Sequence, residues 1–187
     1  MPPTSPLRLP PTGLADGTIA LRPWRDADVP AMTAACRDPE IQRWTMVPDD
    51  YDEADARAYV AAAAGRRAAG ASLELAVVDA ADCGAVLGSV ALMRVDRGRE
   101  QAPPEIGYWT APAARGRGVA VRAVRLLSDW GLRELGLERI ELQPFAGNVA
   151  SQRVAERAGY VRERVVPGGY ASKRGPVDVV LFALVRP

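Results

Sequence analysis

Two arginines and two glycines alternate at residues 115–118, where an apolar, aromatic segment gives way to a helical pattern. The first amide groups of a helix have no partner within it, and the helix dipole adds partial positive charge at that end. Glycine allows the backbone to approach an anion closely, and arginine supplies charge and further donors. The segment therefore predicts a phosphate site at the start of a helix.

Two common nucleotide-binding loops do not match this turn. A P-loop requires glycine and lysine followed by serine or threonine, and a dinucleotide-binding turn requires a third glycine in an early strand-helix-strand unit. Neither pattern occurs at residues 115–120. On the turn alone, an ordinary helix start with solvated arginines remains the alternative.

The chain of 187 residues contains no histidine, which limits its chemistry. Hydrolases that depend on histidine are excluded, and so are the commonest zinc sites, so we expect no metal centre. Proton transfer in an enzyme of this composition falls to carboxylate, tyrosine, serine, water or the substrate. The two cysteines, Cys36 and Cys83, lie far apart in sequence, and we expect free thiols.

Charge and hydropathy limit the partners and the domain count. The 24 basic and 23 acidic residues nearly cancel, so nothing favours nucleic acid or a membrane surface as partner. No signal peptide or 18-residue apolar span occurs, and we expect a cytoplasmic protein. The proline-rich residues 1–17 predict a flexible arm, and residues 18–187 are long enough for one domain.

The hydrophobic pattern predicts an α/β fold with a mixed sheet. Two apolar runs at 72–79 and 85–95 flank a turn-sized segment, which is typical of antiparallel strands. From residue 105 onward, strand and helix patterns alternate, which predicts a locally parallel sheet. The other predicted elements are helices at 27–38, 53–67, 117–135 and 149–158, strands at 18–24, 105–110, 139–145, 160–166 and 177–185, and a polar loop at 97–104.

A second polar group follows the strand predicted at 139–145. Asn148 is a favourable N-cap, and Ser151 stands at the third helical position after it. Ligands of α/β sheets bind near such strand ends. Capping alone explains Asn148, although capping and ligand contact are compatible.

Taken in order, these motifs resemble the GNAT superfamily of acetyl-CoA-dependent N-acyltransferases, over roughly residues 18–186. The resemblance rests on two segments, EIGYWTAPAARGRGVAVRAVRLL at 105–127 and RIELQPFAGNVASQRVAERAGYVRE at 139–163. The segment at 19–32, the tryptophan that ends PEIQRW and the segment at 176–184 resemble the branch that contains ribosomal-protein N-terminal acetyltransferases.

The resemblance implies a GNAT fold with a mixed sheet of about seven strands and about four helices. The family's fourth and fifth strands, which match 105–110 and 139–145, would splay apart and admit acetyl-CoA. The backbone of Tyr108, Trp109 and Thr110 would pair with the pantetheine amides, and Asn148 and Ser151 would contact that arm. The pyrophosphate would be held by Arg115, Gly116, Arg117, Gly118, Val119 and Ala120.

The resemblance also suggests catalytic residues. Glu105 lies where the superfamily often has a carboxylate base, although it could be merely a solvent-exposed residue after Pro104. Many relatives have a tyrosine as general acid where this chain has Ala155. The ribosomal-protein branch instead has a serine at the position of Ser151, which we expect to protonate the departing thiolate, unless its hydroxyl merely bonds to backbone. A second carboxylate of that branch would fall near Tyr170, where no acid stands.

Aromatic residues are the candidates for the acceptor pocket. Trp44 and Trp24 would contact the incoming amine, because aromatic faces suit both apolar groups and a cation. Packing in the core is the alternative for both, and Trp130 is expected in the core.

The implied function is transfer of an acetyl or other short acyl group from acetyl-CoA to a primary amine. The acceptor would be a protein N-terminus or a small amine such as an amino acid, polyamine or aminoglycoside. A non-catalytic acyl-CoA-binding module is the alternative, and a nucleotide-binding domain is a third. The apolar final strand suggests a homodimer, unless the sheet itself covers it.

Overall fold

A computed structural model describes residues 5–11, 13–95 and 103–186. Most of the polar loop predicted at 97–104 lies outside the described residues. Within them, eight strands form one sheet. The strands are β1 (Leu14–Ala15), β2 (Ile19–Pro23), β3 (Leu73–Asp79), β4 (Val86–Met93), β5 (Glu105–Thr110), β6 (Arg139–Leu142), β7 (Val161–Ser172) and β8 (Gly175–Val185).

The sheet is mixed, as the sequence predicts. Its strand order is β1-β2-β3-β4-β5-β6-β8-β7. Neighbouring strands are antiparallel except β5 and β6, which run parallel. The count exceeds the expected seven because of β1, a two-residue strand that pairs with β2.

Five α-helices flank the sheet in the described part of the chain, where about four were expected. They are α1 (Val29–Cys36), α2 (Pro39–Trp44), α3 (Glu53–Ala68), α4 (Val119–Glu134) and α5 (Val149–Arg157). None of them is both long enough and apolar enough to cross a membrane.

Capping residues explain where the helices begin. Asp52 accepts hydrogen bonds from the amides of Ala54 and Asp55, and the Asp55 carboxylate accepts one from the Asp52 amide. This reciprocal pair fixes the start of α3. The unpredicted helix α2 begins in a similar way, because Asp38 accepts from the amide of Ile41 at 3.1 Å. With six residues, α2 is too short to produce a helical hydrophobic period.

The two faces of the sheet have separate cores. On one face, α4 packs buried residues such as Val124, Leu127 and Trp130 against the strands. On the other, α1 contributes Met32 and Cys36 to a smaller cluster that α3 completes. Trp130 is therefore a core residue, as predicted.

The packed structure begins before residue 18, where the sequence places the start of the domain. Leu7 is buried, and its amide donates to the carbonyl of Arg67 at 3.1 Å. Leu14 pairs with Leu21 at the edge of the sheet. The apolar side chains of Leu7 and Leu14 explain why the predicted arm packs against the domain, because burial removes their surface from water.

The apolar final strand lies inside the sheet. β8 pairs with β6 on one side and with β7 on the other. Its residues 179–183 are all buried. The apolar face of this strand is therefore covered within the molecule and gives no separate reason for a homodimer.

The parallel pair β5 and β6 separates almost at once. The two strands share a single register pair, Glu105 with Glu141, supported by a hydrogen bond from the Glu141 amide to the carbonyl of Pro104 at 2.8 Å. Beyond that point they have no further pairing in the described part of the chain. The predicted splay between these strands is confirmed.

The turn before α4 requires a left-handed backbone. Gly118 is the N-cap of α4 with φ 75°, and an added Cβ would have no atom within 4 Å. A side chain at this position therefore costs free energy because of the backbone conformation, and not because it would clash with neighbouring atoms.

We expect Gly118→Ala to lower the free energy of unfolding by about 1 kcal/mol or more, because an L-residue is strained in this conformation. Gly65→Ala is the matched control, since Gly65 lies within α3 and also has open space around its Cβ position. That change should stabilise the protein by up to about 1 kcal/mol, since alanine favours helix. Chemical denaturation of both variants measures the change in the free energy of unfolding. Equal changes in the two variants would contradict the left-handed conformation of Gly118.

Candidate active site

A cavity of about 740 Å³ opens at the splay of β5 and β6. Its wall includes all six residues of β5, the turn before α4 and the first residues of α5. On the other face of the sheet it reaches α1 and α2. The cavity therefore joins the predicted phosphate turn to the predicted acceptor side.

Among the described residues, β5 has no register pair with β6 beyond Glu105, and the rest of β5 lines this cavity. The Ala111 amide donates to the carbonyl of Leu87 in β4, at 2.9 Å. Backbone groups alternate in direction along a strand, so those of Tyr108 and Thr110 point toward β6. The backbone of Trp109 instead faces β4, where Trp109 stands opposite Ser89. Of the three residues predicted to pair with pantetheine, two have suitable backbone groups, and Trp109 contributes its side chain.

The predicted phosphate turn lies in the cavity wall. Gly116, Gly118, Val119 and Ala120 all contribute to the wall. Gly116 and Gly118 both have positive φ, 74° and 75°. The first amides of α4 follow directly, without an acidic side chain in the first turn of the helix. This arrangement suits an anion.

The two arginines of the turn have different surroundings. Arg115 lines the cavity and is hydrogen-bonded to Asp38, the N-cap of α2. Burial opposes the ionisation of Asp38, but Arg115 and the capped helix amides hold the pKa of Asp38 below its ordinary value. Arg117 instead lies 3.9 Å from Asp79, at the end of β3, and is absent from the wall. The structure therefore does not place Arg117 with the other predicted phosphate ligands, because its side chain leaves the turn in another direction.

Asn148 and Ser151 meet Tyr108 at the edge of the cavity. The Asn148 side chain accepts from the Ser151 amide at 3.0 Å, so Asn148 is the predicted N-cap of α5. Ser151 Oγ lies 2.7 Å from the hydroxyl of Tyr108. Burial raises the pKa of Tyr108 to about 12, although Ser151 opposes the rise. The phenol therefore stays protonated and can donate to Ser151 near neutral pH.

Glu105 is buried, and the alternative of simple solvent exposure is wrong. It is 6% exposed, and one carboxylate oxygen lies 2.6 Å from Arg94. Burial raises the pKa of Glu105 above its ordinary value, Arg94 opposes the rise, and Glu141 adds to it. A raised carboxylate pKa in a cavity wall is typical of a proton acceptor.

Glu105 and Ser151 reach the cavity from different sides. Side chains alternate along β5, so Glu105, Gly107 and Trp109 share one face of the sheet while Tyr108 lies on the other. Tyr108 packs with the α4 cluster and bonds to Ser151, whereas Trp109 packs with the α1 cluster. A carboxylate and a hydroxyl so placed can act on opposite sides of one bound group.

Three aromatic rings form the wall beside α2. The ring of Phe145 lies 6.3 Å from that of Trp44 and 5.6 Å from that of Tyr170, centre to centre. Trp44 also donates from Nε1 to Glu40 at 2.9 Å. Burial raises the pKa of Tyr170, and the charge of Glu105 adds to the rise. The structure thus brings the predicted Trp44 into the wall together with two rings that the sequence did not single out as wall residues.

Trp24, the other predicted acceptor residue, belongs to the core. It is 8% exposed and packs in the cluster on the α1 side. Its ring lies 6.1 Å from that of Trp109, centre to centre. Trp24 supports Trp109 from behind and does not line the cavity.

The sequence did not predict the partners of Ser151 and Glu105. Ala155 is fully buried, so this position offers no group for catalysis. The phenol near Ser151 comes instead from Tyr108 in β5, where the alternation of side chains could have indicated it. Arg94 carried no local signal as a partner of Glu105, because Arg94 follows the end of β4 whereas Glu105 begins β5.

The described residues contain no group of three or more His, Cys, Asp or Glu that could hold a metal ion. Both cysteines are free, Cys36 buried and Cys83 exposed.

A family description matches most of the chain. The acetyltransferase (GNAT) domain matches residues 18–161. This range includes the whole cavity turn, both splayed strands and helix α5.

Two curated relatives from Bacillus subtilis match part of the chain. YjcK, which carries the name of an N-acetyltransferase, is 39% identical over 80 residues, 43% of this chain and 44% of YjcK. YdaF, which carries the name of a ribosomal N-acetyltransferase, is 31% identical over 103 residues, 55% of each chain. The chain thus spans about half the length of these relatives.

A solved structure shares the fold over nearly the whole chain. RimJ of Mycobacterium smegmatis, in complex with a CoA disulfide, matches with a TM-score of 0.75 and 21% identity. The match covers 97% of this chain and 86% of RimJ. The name of YdaF agrees with the predicted resemblance to the ribosomal-protein branch, and the match to RimJ shows that the fold is shared. Since the family match covers well over half of the residues and the splayed sheet agrees with it, the chain belongs to the GNAT acetyltransferase family.

Proposed function

We propose that this protein transfers an acetyl group from acetyl-CoA directly to a primary amine. The observation that carries the proposal is the cavity at the β5 and β6 splay, which has an anion-suited turn at one end and a buried carboxylate at the other. The acceptor class includes protein N-termini and small amines. A cytoplasmic location and a homodimer stay predictions.

The donor would lie along β5 as a strand does. The backbone groups of Tyr108 and Thr110 would bond to the pantetheine amides, and the first amides of α4 would bind the pyrophosphate. Arg115 would add charge to this site, although it must exchange or share its bond to Asp38. Asn148 and Ser151 would lie beside the pantetheine end, because both line the same cavity.

Glu105 would accept the proton of the incoming amine, directly or through water. The neutral amine then attacks the thioester carbonyl, a C–N bond forms, the C–S bond breaks, and the extra proton of the acylated nitrogen passes to water. Orientation of the two bound reactants supplies part of the rate, since positioning can contribute about 7–11 kcal/mol. A base that accepts the proton through a water molecule is therefore sufficient.

Ser151 would donate its proton to the departing thiolate. Tyr108, bonded to Ser151 at 2.7 Å, would return a proton to that oxygen and be restored from water. The pair takes the place of the tyrosine that many relatives carry at the position of Ala155.

Replacement of Glu105 tests the function directly. We expect Glu105→Gln to lower kcat by on the order of 100-fold, as loss of a general base does. Glu141→Gln is the matched control, because Glu141 is also buried and faces Glu105 in register but does not line the cavity. Acceptor-dependent release of thiol from acetyl-CoA is the measurement.

Two outcomes would separate the hypotheses. Equal turnover in Glu105→Gln and the parent protein would remove Glu105 from the mechanism. Tight acetyl-CoA binding without turnover of any amine by the parent would favour the non-catalytic binding module.

The pH profile of kcat/KM should respond to the neighbours of Glu105. A base must be deprotonated, so activity should rise with pH through the pKa of Glu105. Arg94→Gln removes the cation that lowers this pKa, so the acidic limb should move to higher pH. Glu141→Gln removes a charge that raises it, so the limb should move to lower pH. Shifts in the same direction, or none, would contradict this assignment, and Arg94→Lys should restore much of the parent profile.

The hydroxyl pair should behave as one unit. We expect Ser151→Ala to lower kcat by on the order of 100-fold and Tyr108→Phe to lower it less, because water can replace the phenol. The double variant should be no worse than Ser151→Ala alone, since groups acting together are not additive. Tyr108→Phe keeps the backbone of β5, so the KM for acetyl-CoA serves as the control. Fully multiplicative losses would show that the two hydroxyls act independently.

A further inference from the structure

We infer that the acceptor of this site carries one amino group next to a large apolar body. The inference rests on the proposed function and narrows it: polyamines and aminoglycosides, which carry several ammonium groups, are poor acceptors. A small aromatic amine and a peptide that begins with a bulky apolar residue both supply this chemistry, and the experiment below distinguishes the two.

The floor of the acceptor side is built from small residues. Ala91 stands opposite Gly107, and Ser89 stands opposite Trp109, across the strands β4 and β5. All four line the cavity on the face that carries Glu105. The small side chains of Ser89, Ala91 and Gly107 leave a depression in the sheet, and the end of the Met93 side chain covers the part of it over Gly107. This depression lies beside the proposed base.

The roof over this floor is apolar and aromatic. Met32 and Cys36 come from α1, and Tyr59 comes from α3. Tyr51 closes the same side, and its hydroxyl bonds to the sulfur of Met32 at 3.3 Å. Burial raises the pKa of Cys36 to about 12, so its thiol is neutral and contributes no charge. A body inserted here gains free energy from apolar burial, about 25 cal/mol per Å².

The carboxylates of the wall are already engaged. Glu105 is paired with Arg94, and Glu40 accepts from Trp44 and lies 3.7 Å from Arg43. These are the two carboxylates in the wall among the residues that the structure describes.

A third acidic residue lies beside the floor, on the same face of the sheet. Glu74 stands opposite Ala91 on β4 and is bonded to Arg66 and Ser72, each through the same oxygen. Its other oxygen is buried without a hydrogen-bond partner, and Glu74 is not part of the wall. The charge of Glu74 is thus balanced by Arg66, and Glu74 is not among the residues that line the cavity.

Charge and shape together select the acceptor. Each ammonium group that enters an apolar cavity loses its hydration, which is costly unless a carboxylate pairs with it. One ammonium can dock near Glu105, beside the faces of Phe145 and Tyr170, and lose its proton there. Further ammonium groups would find no unengaged carboxylate in the described wall, whereas an apolar body would fill the depression at Ala91 and Gly107.

The experiment compares matched acceptors by initial rates of thiol release. The small-molecule arm uses 2-phenylethylamine, ethanolamine and spermidine; the peptide arm uses phenylalanyl-glycine amide and seryl-glycine amide. We expect kcat/KM to be at least about tenfold higher for the apolar member of each arm, the order of discrimination that hydrophobic pockets provide. If only one arm shows a higher kcat/KM for its apolar member, that arm tells whether the acceptor is a small amine or a peptide. Higher kcat/KM for spermidine, ethanolamine or the seryl peptide would overturn the inference.

Variants that fill the floor test whether the depression causes the preference. Ala91→Leu should abolish the tenfold preference while the KM for acetyl-CoA stays unchanged, because the donor side is untouched. Ala62→Leu, the same change at an exposed position of α3, is the control and should keep the preference. If Ala91→Leu does not fold, Gly107→Ala makes a smaller filling, with the mobile end of Met93 at 3.1 Å from the added Cβ. An unchanged preference in a folded filling variant would overturn the inference.

Equilibrium binding separates this inference from the proposed function. The same amines are titrated calorimetrically into the protein saturated with CoA. Selective binding of 2-phenylethylamine without any turnover would refute acetyl transfer but support the apolar pocket. Turnover with tighter binding of spermidine would support acetyl transfer and refute the pocket.

Discussion

The separation of β5 from β6 is the constraint on which the site depends. One register pair, Glu105 with Glu141, holds the strands together, and no further pair follows it in the part of the chain that the structure describes. Unpaired backbone groups inside a sheet are costly unless a ligand or water satisfies them. The same separation brings α5 close enough for Ser151 to reach Tyr108, and opens a passage between the two faces of the sheet. The binding and chemical features of the protein follow from this single interruption.

Charged groups around the passage are held in pairs. Arg115 is bonded to Asp38 at the donor end, and Arg94 to Glu105 at the acceptor end. Removing Arg94 would leave the buried carboxylate of Glu105 uncompensated, whereas the pair of Arg115 and Asp38 is partly exposed to solvent. The Asp38 contact also ties α2, which carries Trp44, to the turn that precedes α4. The turn proposed to bind the donor phosphate and the wall proposed to contact the acceptor are therefore connected through one ion pair.

Local signals predicted much of this molecule. The turn at Gly116 and Gly118, the cap at Asn148 and the alternating strands depend on neighbours in sequence, and each was predicted correctly. The direction of a side chain depends on packing from distant elements, which explains why Trp24 was expected in the pocket and lies in the core. Arg117 illustrates the same limit, since only its backbone belongs to the turn. The pairing of Arg94 with Glu105, and the meeting of Phe145 with Tyr170, join separate strands and loops and had no signature in the sequence.

The central claim is that acetyl-CoA completes the interrupted sheet along β5. Amide hydrogen exchange by NMR, with and without acetyl-CoA, tests it at single residues. The account predicts that the amides of Tyr108 and Thr110, which face the gap, become strongly protected on binding, while the amide of Trp109, which faces β4, changes little. Protection limited to the first turn of α4, with Tyr108 and Thr110 unchanged, would contradict it.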